Sequence, residues 1–557
     1  MELDVLDRAD QGPRQRHPMM HDSFAEHCRK IARRFLLTAV VVDDELSVSA
    51  DPSVHGKLKK PGRGTAGQAE PLTEIRSRRP LNVKPVTRSF AVEGMVCGVV
   101  SPQEGDDDYE TLAKAVSRAD LVILDWRLNR SPDANALPLL ARIVRDDPRR
   151  RLRLIAFYTD EPDLAEIRSK ITKSLDSLNE PGGMVSASSN GNRTIDFGPC
   201  RILVYAKPDS RTIERSAIVE ERDLAARLIG DFANMVEGLL PSLVLTALAA
   251  VREDVYRVLE RFASDLDPAF LAHRACLPQP PESEQHMVEQ IASELHGIMD
   301  DAVGRRRPAG IKAIEHWLHS RFGDGDVVFG PDMRMSRKDV VEMLTHGMEV
   351  RPGPLEKGKR KGKDFLILSA GLSGDTDIGR ELDRRLASAM SFRQVLADTL
   401  PQLTMGTVVR RIDDNVMLLC GTPSCDAVRL TERSSFLFLP LLEAKSKTLQ
   451  IVVPVEVNQH LRMTISLNPS QWCQADFIPD SDGQCVLAHG NGADRPFTFK
   501  DAPRREDARH REYVWVGELK PEVAQSIAQA IAERMSRIPL NQSEWLRRSQ
   551  RFGVRLT

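Results

Sequence analysis

Four short apolar runs in the first 210 residues constrain the fold of this chain most strongly, because each ends abruptly at polar residues. They read VVVDDE at 40–45, LVILDW at 121–126, IAFYT at 155–159 and YAKP at 205–208. A continuous apolar run rich in β-branched residues is typical of a strand buried on both faces of a parallel sheet. Because helical segments separate these runs, the sequence predicts a doubly wound α/β domain.

The predicted sheet is parallel and has five strands, at 35–42, 90–100, 119–125, 152–158 and 201–205. Helical spacing of apolar residues favours helices at 109–118, 134–145 and 164–178. Two polar stretches, 49–87 and 186–193, lack any apolar period and are expected to be loops. The sequence therefore predicts strands and helices in alternation, interrupted by long polar segments.

The ends of the predicted strands carry Asp43 and Asp44, then Asp125, Thr159 and Lys207. In open α/β sheets the functional residues gather at the carboxyl ends of the strands. Phosphoryl transfer to a carboxylate requires an ionised Asp and a divalent cation, and Mg²⁺ prefers oxygen ligands. A hydroxyl and a lysine can then contact the phosphoryl oxygens. The residues at these strand ends fit those roles.

The four runs resemble the receiver domains of bacterial response regulators over about residues 35–215. Those domains carry an acidic pair after strand one, an Asp after strand three, a Thr or Ser after strand four and Lys-Pro after strand five. The resemblance implies a flavodoxin-like fold and phosphorylation by a histidine kinase. It also implies a role for each matching residue: Mg²⁺ held by Asp43, Asp44 and Asp125, the phosphoryl group accepted by Asp125, contacts to it from Thr159 and Lys207, and a cis bond before Pro208.

This chain also departs from the common receiver pattern. The segments 46–88 and 160–200 are long, and Trp126–Asn129 stands where many receivers have Met-Pro. The lengthened form resembles divergent response-receiver proteins of bacterial defence loci, which occur beside histidine kinases with a heat-shock-type ATPase fold. Segments similar to that group are DPAFLAHRACLP at 267–278, LCGTPSCDAVRL at 419–430 and EWLRR at 544–548. This resemblance implies a phosphoprotein of a two-component phosphorelay, with a defence role.

The chain has 557 residues, which is too long for one hydrophobic core. We expect an N-terminal extension at 1–34, the receiver-like domain at 35–215, an α-helical domain at 216–325 and a C-terminal α+β domain at 326–557. The last two domains are expected to bind protein partners. We expect no enzymatic activity beyond the receiver's own phosphorylation and dephosphorylation.

Composition limits the location and partners of the protein. Its 78 basic and 80 acidic residues give a net charge of -2, so no global basic excess favours a nucleic-acid partner. The apolar run at 239–251 is far shorter than the ~20 residues that span a bilayer. Eight cysteines form no CxxC pair. This usage predicts a reducing, cytoplasmic location without a membrane segment.

Two other functions remain open on the residues alone. One is an adaptor that uses the receiver fold without being phosphorylated. The other is a metal-dependent nuclease, because Glu443 and Lys445 form a strand-borne Glu-x-Lys downstream of Asp426. In such nucleases, an Asp and a Glu hold the cation and a lysine lies next to it.

Overall fold

The computed structural model forms two compact units, Met1–Gly325 with Val341–Gly347, and Asp326–Val340 with Met348–Thr557. It describes residues 23–47, 80–102, 110–128, 136–145, 151–178, 188–190, 194–208, 210–330, 333–347, 366–394, 399–443, 449–456, 459–480, 484–490, 496–504 and 509–535. None of the helices formed by these residues has the length and apolar character needed to cross a lipid bilayer.

The first unit contains a seven-stranded sheet in the order β4-β1-β5-β6-β9-β8-β7, and a separate parallel pair, β2 and β3. The strands are β1 (Thr38–Val42), β2 (Leu46–Ser47), β3 (Leu81–Asn82), β4 (Val96–Val100), β5 (Leu121–Leu124), β6 (Arg153–Thr159), β7 (Ser188–Asn190), β8 (Thr194–Phe197) and β9 (Cys200–Ala206). The first five strands of this order are parallel, and β8 and β7 add to them antiparallel. Numbered along the chain, the parallel strands follow the order 2-1-3-4-5, which is the flavodoxin-like arrangement.

Helices cover both faces of this sheet, as predicted for a doubly wound fold. The helices described up to residue 325 are α1 (Phe24–Phe35), α2 (Val83–Val92), α3 (Glu110–Val116), α4 (Leu137–Arg145), α5 (Leu164–Asp176), α6 (Leu224–Met235), α7 (Leu239–Arg261), α8 (Asp267–Cys276), α9 (Glu282–Arg306) and α10 (Ile311–Phe322). One hydrophobic core joins α1, α2 and α6 to the sheet, and a second joins α3, α4 and α5 to its other face.

The predicted domain boundary after residue 215 separates elements that share one hydrophobic core. Phe232 and Leu228 of α6 lie in the same buried cluster as Tyr158 and Tyr205 of the sheet. The helices from α6 to α10 also belong to the same compact unit as the sheet. Helix α6 shares a core with the strands because it follows the fifth parallel strand and covers one face of the sheet, as in a flavodoxin-like arrangement.

The predicted strand at 35–42 is wrong at its first residues, because α1 ends at Phe35 and β1 begins only at Thr38. The Ser23 side chain accepts a hydrogen bond from the backbone N–H of Glu26 and caps the helix. Phe24 and Cys28, four residues apart, bury one face of the helix. The segment before β1, expected to be only an N-terminal extension, thus contains a packed helix.

The prediction of a loop at 49–87 and a strand at 90–100 is also wrong in part. Residues 48–79 lie outside the described part of the chain, but α2 begins at Val83, and Val86 and Phe90 bury its inner face. Gly94, with a φ of 79°, lies in the turn between α2 and β4. The strand therefore begins only at Val96, which is 73% exposed.

The long segment at 160–200 contains α5 and the antiparallel hairpin of β7 and β8, so the described sheet has seven strands and not five. A loop was predicted at 186–193, but 188–190 pair with β8. Backbone hydrogen bonds hold such a strand without apolar side chains, which is why its polar sequence did not predict it.

The second unit is built on an antiparallel sheet in the order β12-β20-β13-β14-β15-β17-β16, with β18 paired to β15 and β19 to β20. A short apolar run at 365–368 was predicted as a strand, but residues from Leu366 form a helix, since such a run fits either element. The strands and helices after residue 325 are β10 (Val327–Gly330), β11 (Met333–Met335), α11 (Arg337–His346), α12 (Leu366–Ser373), α13 (Thr376–Ser391), β12 (Phe392–Arg393), β13 (Thr407–Arg411), β14 (Met417–Cys420), β15 (Ser434–Glu443), β16 (Gln450–Glu456), β17 (Gln459–Ile465), β18 (Cys473–Phe477), β19 (Thr498–Lys500), β20 (Glu512–Leu519) and α14 (Pro521–Met535).

Candidate functional site

The carboxyl ends of β1, β5, β6 and β9 meet at one edge of the parallel sheet. The last residues of β1 and β5 are register partners, and so are the last residues of β6 and β9. Asp43, Asp125 and Lys207 each follow directly after a strand, and Thr159 is the last residue of β6. The predicted site residues are thus delivered to the same edge by the strand register.

Asp43, Asp44 and Asp125 form a tight carboxylate cluster at this edge. Each offers one ligand oxygen, and these oxygens all lie within 4.8 Å of one another. Asp43 is 1% and Asp125 7% exposed, whereas Asp44 is half-buried. Within the described ranges, this is the group of acidic, His or Cys side chains that could hold a metal ion.

Lys207 connects two of these carboxylates. Its Nζ donates to Oδ2 of Asp43 at 2.8 Å and to Oδ2 of Asp125 at 3.1 Å, and the side chain is 1% exposed. Burial by itself would lower the pKa of Lys207, but the two carboxylates outweigh it and raise that pKa above its ordinary value. Lys207 is therefore a fixed positive charge inside the site.

Asp125 is held in an environment that opposes its ionisation. Burial, with repulsion from Asp43 as a further cause, raises the pKa of Asp125 to about 7, against the attraction of Lys207. Its Oδ1 atom is buried and accepts no hydrogen bond from the described residues. A carboxylate oxygen in that state lacks a positive partner, because Lys207 contacts only Oδ2.

The residues at this edge fit a divalent cation. The donors are carboxylate oxygens, which Mg²⁺ prefers, and the oxygens of three separate Asp side chains converge. Oδ1 of Asp43 accepts a hydrogen bond from the backbone N–H of Glu45 at 2.8 Å, which fixes the orientation of that carboxylate. A cation beside the cluster would satisfy Oδ1 of Asp125 and favour its ionised form.

Thr159 is fully buried and is tied to the loop that follows it. Its hydroxyl oxygen accepts a hydrogen bond from the backbone N–H of Glu161 at 3.2 Å, and its carbonyl accepts from the N–H of Lys207 at 2.7 Å. The Glu161 side chain forms an ion pair with Arg127. Sequence reasoning missed this ion pair, although both residues lie two positions beyond a predicted site residue.

The turn after Asp125 buries two of its side chains. Trp126 packs edge-to-face against Phe157 with ring centroids 5.7 Å apart, and Leu128 belongs to the same core. Arg127, between them, is partly exposed and faces Glu161. The turn that departs from the common receiver pattern thus contributes buried side chains to the core as well as exposed ones. Its last residue, Asn129, lies outside the described residues.

The chain differs from expectation at Pro208, just after β9, and β9 itself carries a contact that sequence reasoning missed. The peptide bonds between described residues are all trans, so the cis bond implied before Pro208 is absent. The Tyr205 hydroxyl donates to Asp231 and accepts from Nε of Arg227 at 3.2 Å. Burial and the Asp231 carboxylate raise the pKa of Tyr205. This network connects the strand before Lys207 to α6.

The alternative metal site in the second unit has no comparable geometry. Asp426 lies exposed in a short 3-10 turn, and Glu443 is exposed at the end of β15. Lys445 lies outside the described residues. Neither described acid belongs to a group that could hold a metal ion.

Comparison with known protein families gives a match to part of the chain. The family described as "Response receiver domain" matches residues 35–212, about a third of the chain. The match includes the carboxylate cluster, Thr159, Lys207 and the nine strands β1–β9. A search of curated proteins finds no match. Residues 35–212 of this chain are therefore a response receiver domain.

Proposed function

We propose that this protein is a phospho-accepting response receiver of a two-component-type signalling system, with Asp125 as the acceptor. The observation that carries the proposal is that Lys207 Nζ donates hydrogen bonds to both Asp43 and Asp125. The other carboxylate oxygen of Asp125, Oδ1, is buried and accepts no hydrogen bond from the described residues. Burying a lysine and two carboxylates carries a desolvation cost, so their presence together in a buried site supports a functional role. The match of residues 35–212 to the response receiver family supports a phospho-accepting role in signalling.

Asp43, Asp44 and Asp125 would hold Mg²⁺, which when bound neutralises charge on the phosphoryl oxygens. Lys207 places a permanent positive charge beside the acceptor carboxylate and offers donors to an incoming phosphoryl group. Thr159, the last residue of β6, lies at the same edge of the sheet and would supply a hydroxyl contact. These side chains orient the acceptor and stabilise negative charge.

In the proposed reaction, a carboxylate oxygen of Asp125 attacks the phosphorus of a phosphohistidine on a kinase. The P–N bond breaks, the imidazole leaves and takes up a proton, and an acyl phosphate forms on Asp125. Water later attacks this phosphorus and releases inorganic phosphate, which restores the carboxylate. Each transfer is balanced without an oxidant or reductant.

A small phosphodonor tests the acceptor. Purified full-length protein is incubated with acetyl phosphate and Mg²⁺, and intact-mass spectrometry counts added phosphoryl groups. We expect one group, removed by hydroxylamine and absent from Asp125→Asn. Asp196→Asn is the matched control, because Asp196 pairs with Arg201 away from the cluster and should leave uptake unchanged. If folded wild-type protein takes up no phosphoryl group from either acetyl phosphate or a partner kinase, the protein functions as an unphosphorylated adaptor.

The proposal extends to the phosphodonor, which would be a histidine kinase with a heat-shock-type ATPase fold. It also places the protein in the cytoplasm, with a role in bacterial defence. Its support is the resemblance of the long receiver form and its flanking segments to proteins of such loci. The measurement is transfer of labelled phosphate from a purified kinase encoded beside this gene to wild type but not to Asp125→Asn. A neighbouring kinase that leaves Asp125 unlabelled would contradict this part.

The C-terminal nuclease remains a prediction, tested by metal-dependent nicking with Glu443→Ala and Lys445→Ala.

A further inference from the structure

Helix α7 carries a stripe of exposed apolar side chains along nearly its whole length. The half-buried Val251 continues the stripe at its centre. The positions share a sector of about 100° on the helix, and the stripe is about 28 Å long at 1.5 Å per residue. The exposed members are Leu240 at 62%, Val244 at 50%, Leu248 at 45%, Val255 at 49% and Leu259 at 68%.

The sides of α7 beside and behind the stripe are fixed within the first unit. Leu245 lies in the core that joins α1 and α6 to the sheet. Arg252 donates to both carboxylate oxygens of Asp120 at 3.1 and 3.3 Å, and Glu253 accepts from Arg34 of α1. The helix is thus held at several points, while the side chains of the stripe stay exposed.

The apolar positions are symmetric about the midpoint between Ala249 and Ala250. In sequence the spacings are 4, 4, 3, 4 and 4 residues, so each stripe residue has a counterpart at the same distance on the other side of the midpoint. Leu240 corresponds to Leu259, Val244 to Val255 and Leu248 to Val251. When two copies pack antiparallel around a two-fold axis through this midpoint, every apolar side chain therefore meets an apolar one.

The charges of α7 are asymmetric, and this favours the antiparallel arrangement. Residues 239–251 contain no charged side chain, whereas 252–261 contain six. A parallel pair would place each charged residue beside its own copy. An antiparallel pair places the charged half opposite the uncharged half and also opposes the two helix dipoles.

We propose that α7 is a homodimerisation surface, with the stripe packed antiparallel against the same stripe of a second copy. The interface is isologous, since one self-complementary patch serves both chains. A contiguous row of exposed apolar side chains is typical of an interaction site. The inference does not depend on phosphorylation of Asp125.

Sedimentation velocity of full-length protein tests the proposal. We expect a dimer of wild type that dissociates on dilution, and at least tenfold weaker dimerisation for Leu248→Glu, because a carboxylate would be buried at the centre of the interface. Leu271→Glu, at a similarly exposed position of α8, should dimerise as wild type does. A wild type that stays monomeric at about 100 µM, or a dimer that Leu248→Glu does not weaken, overturns the proposal.

A second measurement tests the register and does not depend on a charged variant folding. With the exposed Cys276 and Cys425 replaced by serine, Val244→Cys and Val255→Cys proteins are mixed and oxidised. We expect the mixture to form a disulfide-linked dimer much faster than either variant alone. Faster linkage within Val244→Cys alone would indicate a parallel pair, and no linkage above the cysteine-replaced background would exclude α7 as the interface.

Discussion

The two sheets of this protein treat their polar strand-end residues differently. In the parallel sheet, Asp43, Asp125 and Lys207 follow three separate strands and meet at one buried edge. In the second unit, Glu443 at the end of β15 and Asp426 in a 3-10 turn are exposed, and neither belongs to a group that could hold a metal ion. Carboxyl ends of parallel strands point to the same edge, whereas those of antiparallel neighbours point to opposite edges. In this chain, the polar residues at successive strand ends therefore meet at one edge of the parallel sheet.

The cores differ in the same way. The first unit buries a lysine and two carboxylates in contact, while the second unit buries a cluster of aromatic rings. Phe438 stacks on Tyr513 with centroids 5.7 Å apart and also contacts Phe477. The first arrangement carries a desolvation cost, whereas the second adds buried aromatic contacts that stabilise the fold.

The largest effect is expected in the aromatic core. Phe438→Ala should lower the local unfolding free energy of the second unit by about 3–5 kcal/mol, since it leaves a cavity beside two rings. Hydrogen-exchange mass spectrometry measures this in peptides from β15. Leu442→Ala, at an exposed position of the same strand, is the control and should cost little. Unchanged exchange in β15 for Phe438→Ala would remove the aromatic cluster from this comparison.

Removal of Lys207 should have the next largest effect. In EDTA, Lys207→Met should cost about 3 kcal/mol, because Asp43 and Asp125 would face each other in a buried site without a positive partner. The double variant Asp125→Asn/Lys207→Met should recover part of that loss. Chemical denaturation, followed by hydrogen exchange in peptides from β1 and β9, measures the loss of stability in both variants. If the double variant is less stable than Lys207→Met, the strain is not electrostatic.

Magnesium should distinguish the two sheets directly. At a Mg²⁺ concentration about 100 times its Kd, wild type should gain about 2.7 kcal/mol, seen as a rise in Tm. Asp43→Asn should lose most of this gain, because it removes one of the three converging carboxylates. Glu443→Gln should keep it. A gain in Tm that depends on Glu443 and not on Asp43 would place the metal site at the antiparallel sheet and contradict the comparison.

Exposed charges should matter least. Arg34 lowers the pKa of Glu253 by a hydrogen bond, so this pair contributes stability above the carboxyl's unfolded pKa and loses it as pH falls through the lowered folded value. Because the pair is largely solvent-accessible, Glu253→Gln should cost no more than about 0.5 kcal/mol at pH 7. The cost should be smaller at an acid pH where the carboxyl is protonated in both the folded and the unfolded state. Chemical denaturation at both pH values checks this, with the exposed Glu260→Gln as control.

The central strands were predictable because burial on both faces leaves a continuous apolar run, as in β5 and β6. Elements with mixed composition were not. Helix α2 was read as a loop running into a strand, since Val86 and Phe90 are too few to show a period against its polar neighbours. The hairpin of β7 and β8 was missed because its pairing is made by the backbone.

Within the site, the sequence alone determined which residues stand at the strand ends, namely Asp43, Asp44, Asp125, Thr159 and Lys207. The reason is that an apolar run stops where the buried strand stops. Only the tertiary structure decided which of them touch, with Lys207 between Asp43 and Asp125. It also decided contacts between elements distant in sequence, such as Tyr205 with α6 and Arg127 with Glu161. Such contacts depend on register and packing, and local patterns of hydrophobicity do not encode which distant partners will meet.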